Sequence, residues 1–292
     1  MFTPTIPGPD PHPRTPRFTL PPLACDAHTH IFGPGDKYPY APGRPYTPPD
    51  APLEMFRALH ETLGIGRAVI VNASVHGTDN RVALDAIAVS GGRYRAVANI
   101  DGTITERGLR DLHEGGFRGC RFNFVRHLGG VPDLRVFDRI IAMIAPLGWH
   151  VDLHFDAIDL PDYAERLAAL PVAYTIDHIG RVKASDGLDQ LPFKTLMSLV
   201  ERDEKCWVKL SGFERVSSEG PPFHDAVPFA RAVAEAAPDR VLWGTDWPHP
   251  NVKVMPNDGD LVDLIPLFAP EPELQQKILV DNPARLFGFD QV

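Results

Sequence analysis

Several apolar runs of this 292-residue sequence end on imidazole or carboxylate side chains. One run closes on Asp26-Ala27-His28-Thr29-His30, another on Asp152-Leu153-His154, a third on Ile176-Asp177-His178 and a last one on Gly244-Thr245-Asp246. Side chains alternate along an extended strand, so His28 and His30 share a face, as do Asp152 with His154 and Arg121 with Asn123. Four imidazoles and a carboxylate brought to one place are material for proton transfer or for metal binding. A lone strand histidine is more often a packed residue, and His-x-His alone is a weak signal. The conjunction with Asp246 at a separate strand end is more than packing requires. His12, His60, His113, His150 and His224 read as surface or helix positions without a role.

The elements that must position these residues alternate strictly. Strands are predicted at 23–31, 67–73, 94–100, 117–124, 149–155, 173–178, 206–211 and 240–246. Helical patterns fall at 52–63, 79–90, 104–115, 132–146, 161–170, 190–203, 224–236 and 271–280. Such alternation implies a parallel sheet, and eight units in about 270 residues match an α/β fold of the closed (β/α)8 TIM barrel type. No Gly-rich fingerprint follows the first strand, which weighs against an open dinucleotide-binding sheet. In a barrel, chemistry sits at the C-terminal strand ends, where all the residues above fall.

Composition narrows the partners. The formal net charge is −9, with 29 basic and 38 acidic residues, so nucleic acid and anionic membrane surfaces are not expected partners. No run of about 18 apolar residues occurs, and the N-terminus lacks the pattern of a secretory signal. Cys25, Cys120 and Cys206 are odd in number and form no CxxC pair, which fits a reducing cytoplasmic location and core packing. Of 31 prolines, 14 fall in the first 50 residues, so residues 1–22 are predicted as an extended arm before a single barrel domain at 23–292.

His28-x-His30, His178 and Asp246 together resemble the amidohydrolase superfamily. The stretches Asp26-Ala-His-Thr-His-Ile-Phe-Gly-Pro34, His76-Gly-Thr-Asp-Asn80, Arg121-Phe-Asn-Phe124, Ile176-Asp-His-Ile-Gly-Arg181 and Trp243-Gly-Thr-Asp-Trp-Pro-His-Pro-Asn251 are similar, more closely, to 2-pyrone-4,6-dicarboxylate lactonases. The similarity runs from about residue 17 to the C-terminus. It implies a lactone hydrolase of aromatic-compound breakdown that needs no metal and no obligate protein partner. Asp246 would be the general base, with His28, His30 and His178 polarising the lactone carbonyl. Tyr46, Ser74, His76, Arg121 and Arg215 would hold the carboxylates of a small anionic lactone.

Two positions depart from that pattern. Val125-Arg126-His127 stands where the pattern has a lysine-arginine pair after Asn123-Phe124, and His154 replaces a strand-five tyrosine. Arg126, His127 and His154 are therefore expected at the far end of the substrate, and a sulfonated lactone such as 4-sulfomuconolactone becomes an alternative. His28, His30, His154 and Asp246 also match the ligand set of metal-using relatives and would suit a single zinc or manganese. A metal-dependent decarboxylase of an aromatic or unsaturated acid is a second enzyme class, and a non-catalytic sugar- or acid-binding barrel a third.

Overall fold

The computed structural model describes residues 5–290; residues 1–4 of the expected arm and 291–292 of the expected barrel domain lie outside it. Each predicted strand forms inside its predicted span: β1 (Cys25–Thr29), β2 (Arg67–Val71), β3 (Tyr94–Ala98), β4 (Phe117–Asn123), β5 (His150–His154), β6 (Tyr174–Ile176), β7 (Cys206–Leu210) and β8 (Val241–Trp243). All neighbours pair in parallel, in the order β1 to β8. Runs such as Arg67-Ala-Val-Ile-Val71 are buried at every position, as a strand covered on both faces must be. The ring closes through loop hydrogen bonds: the Asp246 N–H donates to the His28 carbonyl (2.8 Å), and the His30 N–H donates to the Trp247 carbonyl (2.7 Å). Asp26 adds a side-chain staple at this seam, accepting from the Thr245 N–H (3.0 Å) and the Thr245 hydroxyl (2.6 Å).

Helices α1 (Leu53–Leu63), α2 (Arg81–Ala88), α3 (Glu106–Glu114), α4 (Leu134–Ile144), α5 (Leu160–Ala168), α6 (Leu191–Arg202), α7 (Phe213–Val216) and α8 (Val227–Ala236) follow strands β1 to β7. Short helices α9 (Asp258–Asp263) and α10 (Ile265–Phe268), which no predicted helical span covers, come after β8. The helix expected at 271–280 is longer and irregular. It runs from α11 (Pro272–Gln276) through a wider π turn at Lys277–Asp281 into α12 (Asn282–Phe287). No helix among the described residues is long and apolar enough to cross a membrane.

The C-terminal segment plugs the base of the barrel. Phe287 and Phe289 pack with the inward Cys25, Ala27, Val69 and Val97, and the Arg67 and Arg95 guanidinium groups lie 5.1 and 4.8 Å from the centre of the Phe289 ring. The opposite end is left for the site. The proline-rich arm lies along α9: Arg14 reaches Asp263 (2.6 Å), and the Arg17 and Phe18 N–H groups donate to the same carboxylate (2.7 and 2.8 Å). The Ile6 N–H donates to the Thr47 carbonyl (3.2 Å), which braces the loop that carries Tyr46.

Candidate active site

Local backbone irregularities aim the site residues. The β1–β2 register slips between Asp26 and Thr29. Cys25 and Ala27 pack inside the barrel before the slip, and His28 and His30 face inward after it. Asp26 instead turns to the seam, with the His60 Nε2 at 3.4 Å. At the end of β6 the chain turns left-handed over His178, Ile179, Gly180 and Arg181, with φ between 52 and 63°. Such φ values disfavour side chains with a Cβ, so packing must hold them. Here it does: His178 and Ile179 are buried. Asp246 itself has φ 66°. Gly244 just before it admits no side chain, because a Cβ there would lie 2.5 Å from the His28 nitrogen.

Three imidazoles surround one carboxylate oxygen. The Nε2 atoms of His30, His28 and His178 lie 3.3, 3.5 and 4.0 Å from Asp246 Oδ1. The other oxygen, Oδ2, accepts twice from Arg215, from Nε at 2.9 Å and Nη2 at 2.6 Å. One oxygen of the carboxylate is clamped and the other faces the imidazoles. The His30 Nδ1 donates to the Val71 carbonyl (2.7 Å), and the His178 Nδ1 meets the Ser211 hydroxyl (2.9 Å). Beneath them lies a buried ionic layer that sequence reasoning overlooked. Lys209 sits against Asp152, Asp177 and His28, and Arg121 Nε donates to Asp177 Oδ2 (3.1 Å).

The cavity above this cluster is lined by His30, Tyr46, Ala73, Ser74, Arg121, His127, Leu128, His154, His178, Arg215, Asp246, Pro250 and Asn251. Counted out to the open mouth, the space between these side chains is about 360 Å³. Tyr46, Ser74, Arg121, His127, His154 and Arg215 thus come together as the sequence suggested. His76 does not line the cavity; its ring lies tilted against Tyr40 (centres 5.0 Å apart) and its Nε2 accepts from the Gly33 N–H (3.5 Å). Arg126 points away, with 78% of its side chain exposed and Nη2 on Asp159 (3.0 Å). His60 lies on a helix as expected, buried with its Nε2 near Asp26, whereas His150 is a buried strand residue on Asp152 rather than a surface or helix position.

Burial sets the protonation states. Burial works to raise the Asp246 carboxyl, but the Arg215 guanidinium and the three imidazoles outweigh it and hold the group well below the usual carboxylate range. Burial pushes His28, His154 and His178 well below the usual histidine range, reinforced by Lys209 for His28 and by Arg121 for His154. At neutral pH Asp246 is therefore ionised and the His28 and His178 rings beside it are neutral.

This fixes the acid side of stability. A neutral buried histidine contributes stability that is intact above the unfolded-state value near 6.5 and is lost as pH falls below it. The unfolded chain binds protons there that the folded one refuses. The expected cost is about 1.4 kcal/mol per pH unit for each such histidine. His249, whose value burial lowers but Asp258 raises further, works the other way, and it is outnumbered. Thermal melts should lose midpoint steadily from pH 6.5 down to pH 5; a flat profile over that interval would contradict the neutral-ring assignment.

The metal set expected from sequence does not fit. His154 has both nitrogens engaged, Nδ1 with Asn123 Oδ1 (3.0 Å) and Nε2 with the Arg181 guanidinium (3.2 Å), which stands where an ion would approach. Among the described residues the compact donor groups are instead His28–His178–Asp246 and His28–Asp152–Asp177, each with ligand atoms within 4.8 Å. Side-chain cations already stand at both: Arg215 on Asp246 in the first, Lys209 against all three members of the second.

Comparison with known proteins is decisive on kinship. The model of the amidohydrolase family matches residues 25–289. The chain belongs to the amidohydrolase family. It is 47% identical over 290 residues to a 2-pyrone-4,6-dicarboxylate hydrolase of Comamonas testosteroni, covering 96% of this chain and 95% of that relative. It is also 47% identical over 285 residues to a 4-sulfomuconolactone hydrolase of Hydrogenophaga intermedia, covering 96% and 94%. A solved structure from Acinetobacter baumannii, described as a probable 2-pyrone-4,6-dicarboxylic acid hydrolase with citric acid bound, is 26% identical. It superimposes with a TM-score of 0.81 over 91% of this chain and 100% of that one. For this amidohydrolase, the barrel is thus the fold it shares with its relatives.

Proposed function

We propose that the chain hydrolyses the ring ester of a small lactone bearing two or more anionic groups, of the 2-pyrone-4,6-dicarboxylate type. The observation that carries this reading is the division of Asp246: Oδ2 is clamped by Arg215 while Oδ1 faces three imidazole Nε2 atoms under an arginine-lined cavity. Oδ1 takes a proton from water, and the water oxygen bonds to the lactone carbonyl carbon. The carbonyl oxygen becomes an oxyanion facing His28 and His178, whose neutral rings stabilise it as hydrogen-bond donors. The bond from that carbon to the ring oxygen then breaks, and the ring oxygen leaves with a proton returned through the Asp246–His30 pair.

The anionic groups of the substrate meet Arg121, whose Nη atoms make no hydrogen bond among the described residues, together with Tyr46, Ser74 and His127. Guanidinium and hydroxyl groups at a buried wall discriminate for oxyanions, because an unpaired arginine there is costly. A sulfonated lactone is the second reading. It is favoured by equal identity to the Hydrogenophaga intermedia relative and by imidazoles, His127 and His154, at the cavity wall.

Side-by-side initial rates on 2-pyrone-4,6-dicarboxylate and 4-sulfomuconolactone decide between the two. The expected result is ring opening of the dicarboxylate at the higher kcat/KM without carbon dioxide release. Faster turnover of the sulfonate would transfer the assignment to the second reading. Carbon dioxide release would identify a decarboxylase and overturn both.

A further inference from the structure

Lys209 has no part in the reaction as drawn above, yet it is wholly buried directly beneath it. It projects from β7 on the inner face, between Trp207 below and Ser211 above. Its Nζ contacts Asp152 Oδ2, lies 3.4 Å from Asp177 Oδ1 and lies 3.3 Å from His28 Nδ1. We propose that Lys209 is a positioning residue that fixes the tautomer of His28, so that His28 Nε2 carries the proton and donates it as a hydrogen bond to the reacting carbonyl oxygen. The inference rests on the hydrolase reading above and adds to it the source of one oxyanion donor.

An ammonium group has three N–H donors and no lone pair. Three acceptors surround this one: the carboxylates of Asp152 and Asp177, and His28 Nδ1. A protonated Nδ1 would set one N–H against another across 3.3 Å, so Nδ1 must supply its lone pair. A neutral imidazole has one donor and one acceptor nitrogen, which leaves the proton on Nε2. That atom is buried, has no hydrogen-bond partner and lies 3.5 Å from Asp246 Oδ1, whose residue lines the cavity. A dry N–H with no acceptor is unfavourable until a ligand oxygen arrives.

Asp177 is the competitor. Its Oδ1 lies 3.5 Å from the same Nδ1 and would draw the proton there if Lys209 were absent. With Lys209 in place, Asp177 is held on its far side by Arg121 through Oδ2 (3.1 Å), and its Oδ1 faces the ammonium. In the opposite tautomer, a lone pair on Nε2 would face the developing oxyanion and repel it.

The test is proton–nitrogen correlation NMR on the whole protein labelled with nitrogen-15 histidine, with His28 assigned by the signal that disappears in His28→Asn. Near neutral pH the wild type is expected to show a proton on Nε2 and a bare Nδ1. In Lys209→Met the pattern is expected to invert, and kcat to fall by about 10² to 10³-fold, the usual loss of one oxyanion donor, with KM little changed. A bare Nε2 in the wild type would overturn the proposal, as would a Lys209→Met protein that keeps both tautomer and kcat. If the variant does not fold, the wild-type spectrum decides alone. The spectrum is read without substrate, so failure to open any lactone would sink the hydrolase reading while leaving the tautomer result to stand on its own.

Discussion

Asp246→Asn is expected to abolish most of the turnover, by about 10² to 10⁴-fold in kcat, the range set by loss of a positioned general base. The substitution keeps the shape of the side chain and both contacts to Arg215, since the amide oxygen still accepts. It removes the ionised oxygen that faces the three imidazole Nε2 atoms. Substrate binding should survive or tighten, because one negative charge leaves a cavity that receives an anion. Equilibrium titration of the variant with the intact lactone, beside its steady-state rate, separates the two effects. Unchanged hydrolysis would eliminate Asp246 as the base, and lost binding with residual kcat would recast it as a structural partner of Arg215.

Arg121→Met is expected to act on binding instead. Its guanidinium spends Nε on Asp177 and leaves both Nη atoms to the cavity wall. A charge-assisted contact to a substrate carboxylate is worth about 1.5 to 3 kcal/mol, so kcat/KM for a dicarboxylate should fall by about 10 to 150-fold, carried mainly by KM. The same variant should lose little on a lactone that lacks the carboxylate facing Arg121. Equal losses on both compounds would show that Arg121 serves only to hold Asp177 in the layer with Lys209.

The strand ends were legible because each apolar run stops at a polar residue of a type that chemistry uses. The shared face of His28 and His30 follows from their spacing, although strict alternation from Cys25 would have turned both outward. The slip in register between Asp26 and Thr29 corrects it, and nothing in the residue types announces a one-residue bulge. Lys209 does carry a readable signal: a lysine in the middle of Cys206-Trp-Val-Lys-Leu210 must find carboxylates if the strand is buried on both faces.

The helices after β8 were hidden for another reason. Pro256, Gly259 and Pro266 break the 3.6-residue pattern, and α9 is secured by Asn257, whose side chain accepts from the Gly259 N–H (3.2 Å), and by the arm residues Arg14 and Arg17 on Asp263. The arm contacts join residues more than 240 positions apart, beyond the reach of any local window. The orientation of Arg126 likewise depends on Asp159, which belongs to the loop after β5.

The account stands most directly on one measurement. The protein is stripped with a strong chelator, its residual metal is quantified, and it is then incubated with 2-pyrone-4,6-dicarboxylate in oxygen-18 water. Side-chain cations at the donor groups and an ionised Asp246 predict ring opening at an undiminished rate, with one labelled oxygen in the newly formed carboxylate. Loss of turnover on stripping, restored by stoichiometric zinc or manganese, would contradict the assignment of the work to Asp246, the imidazoles and the arginines alone.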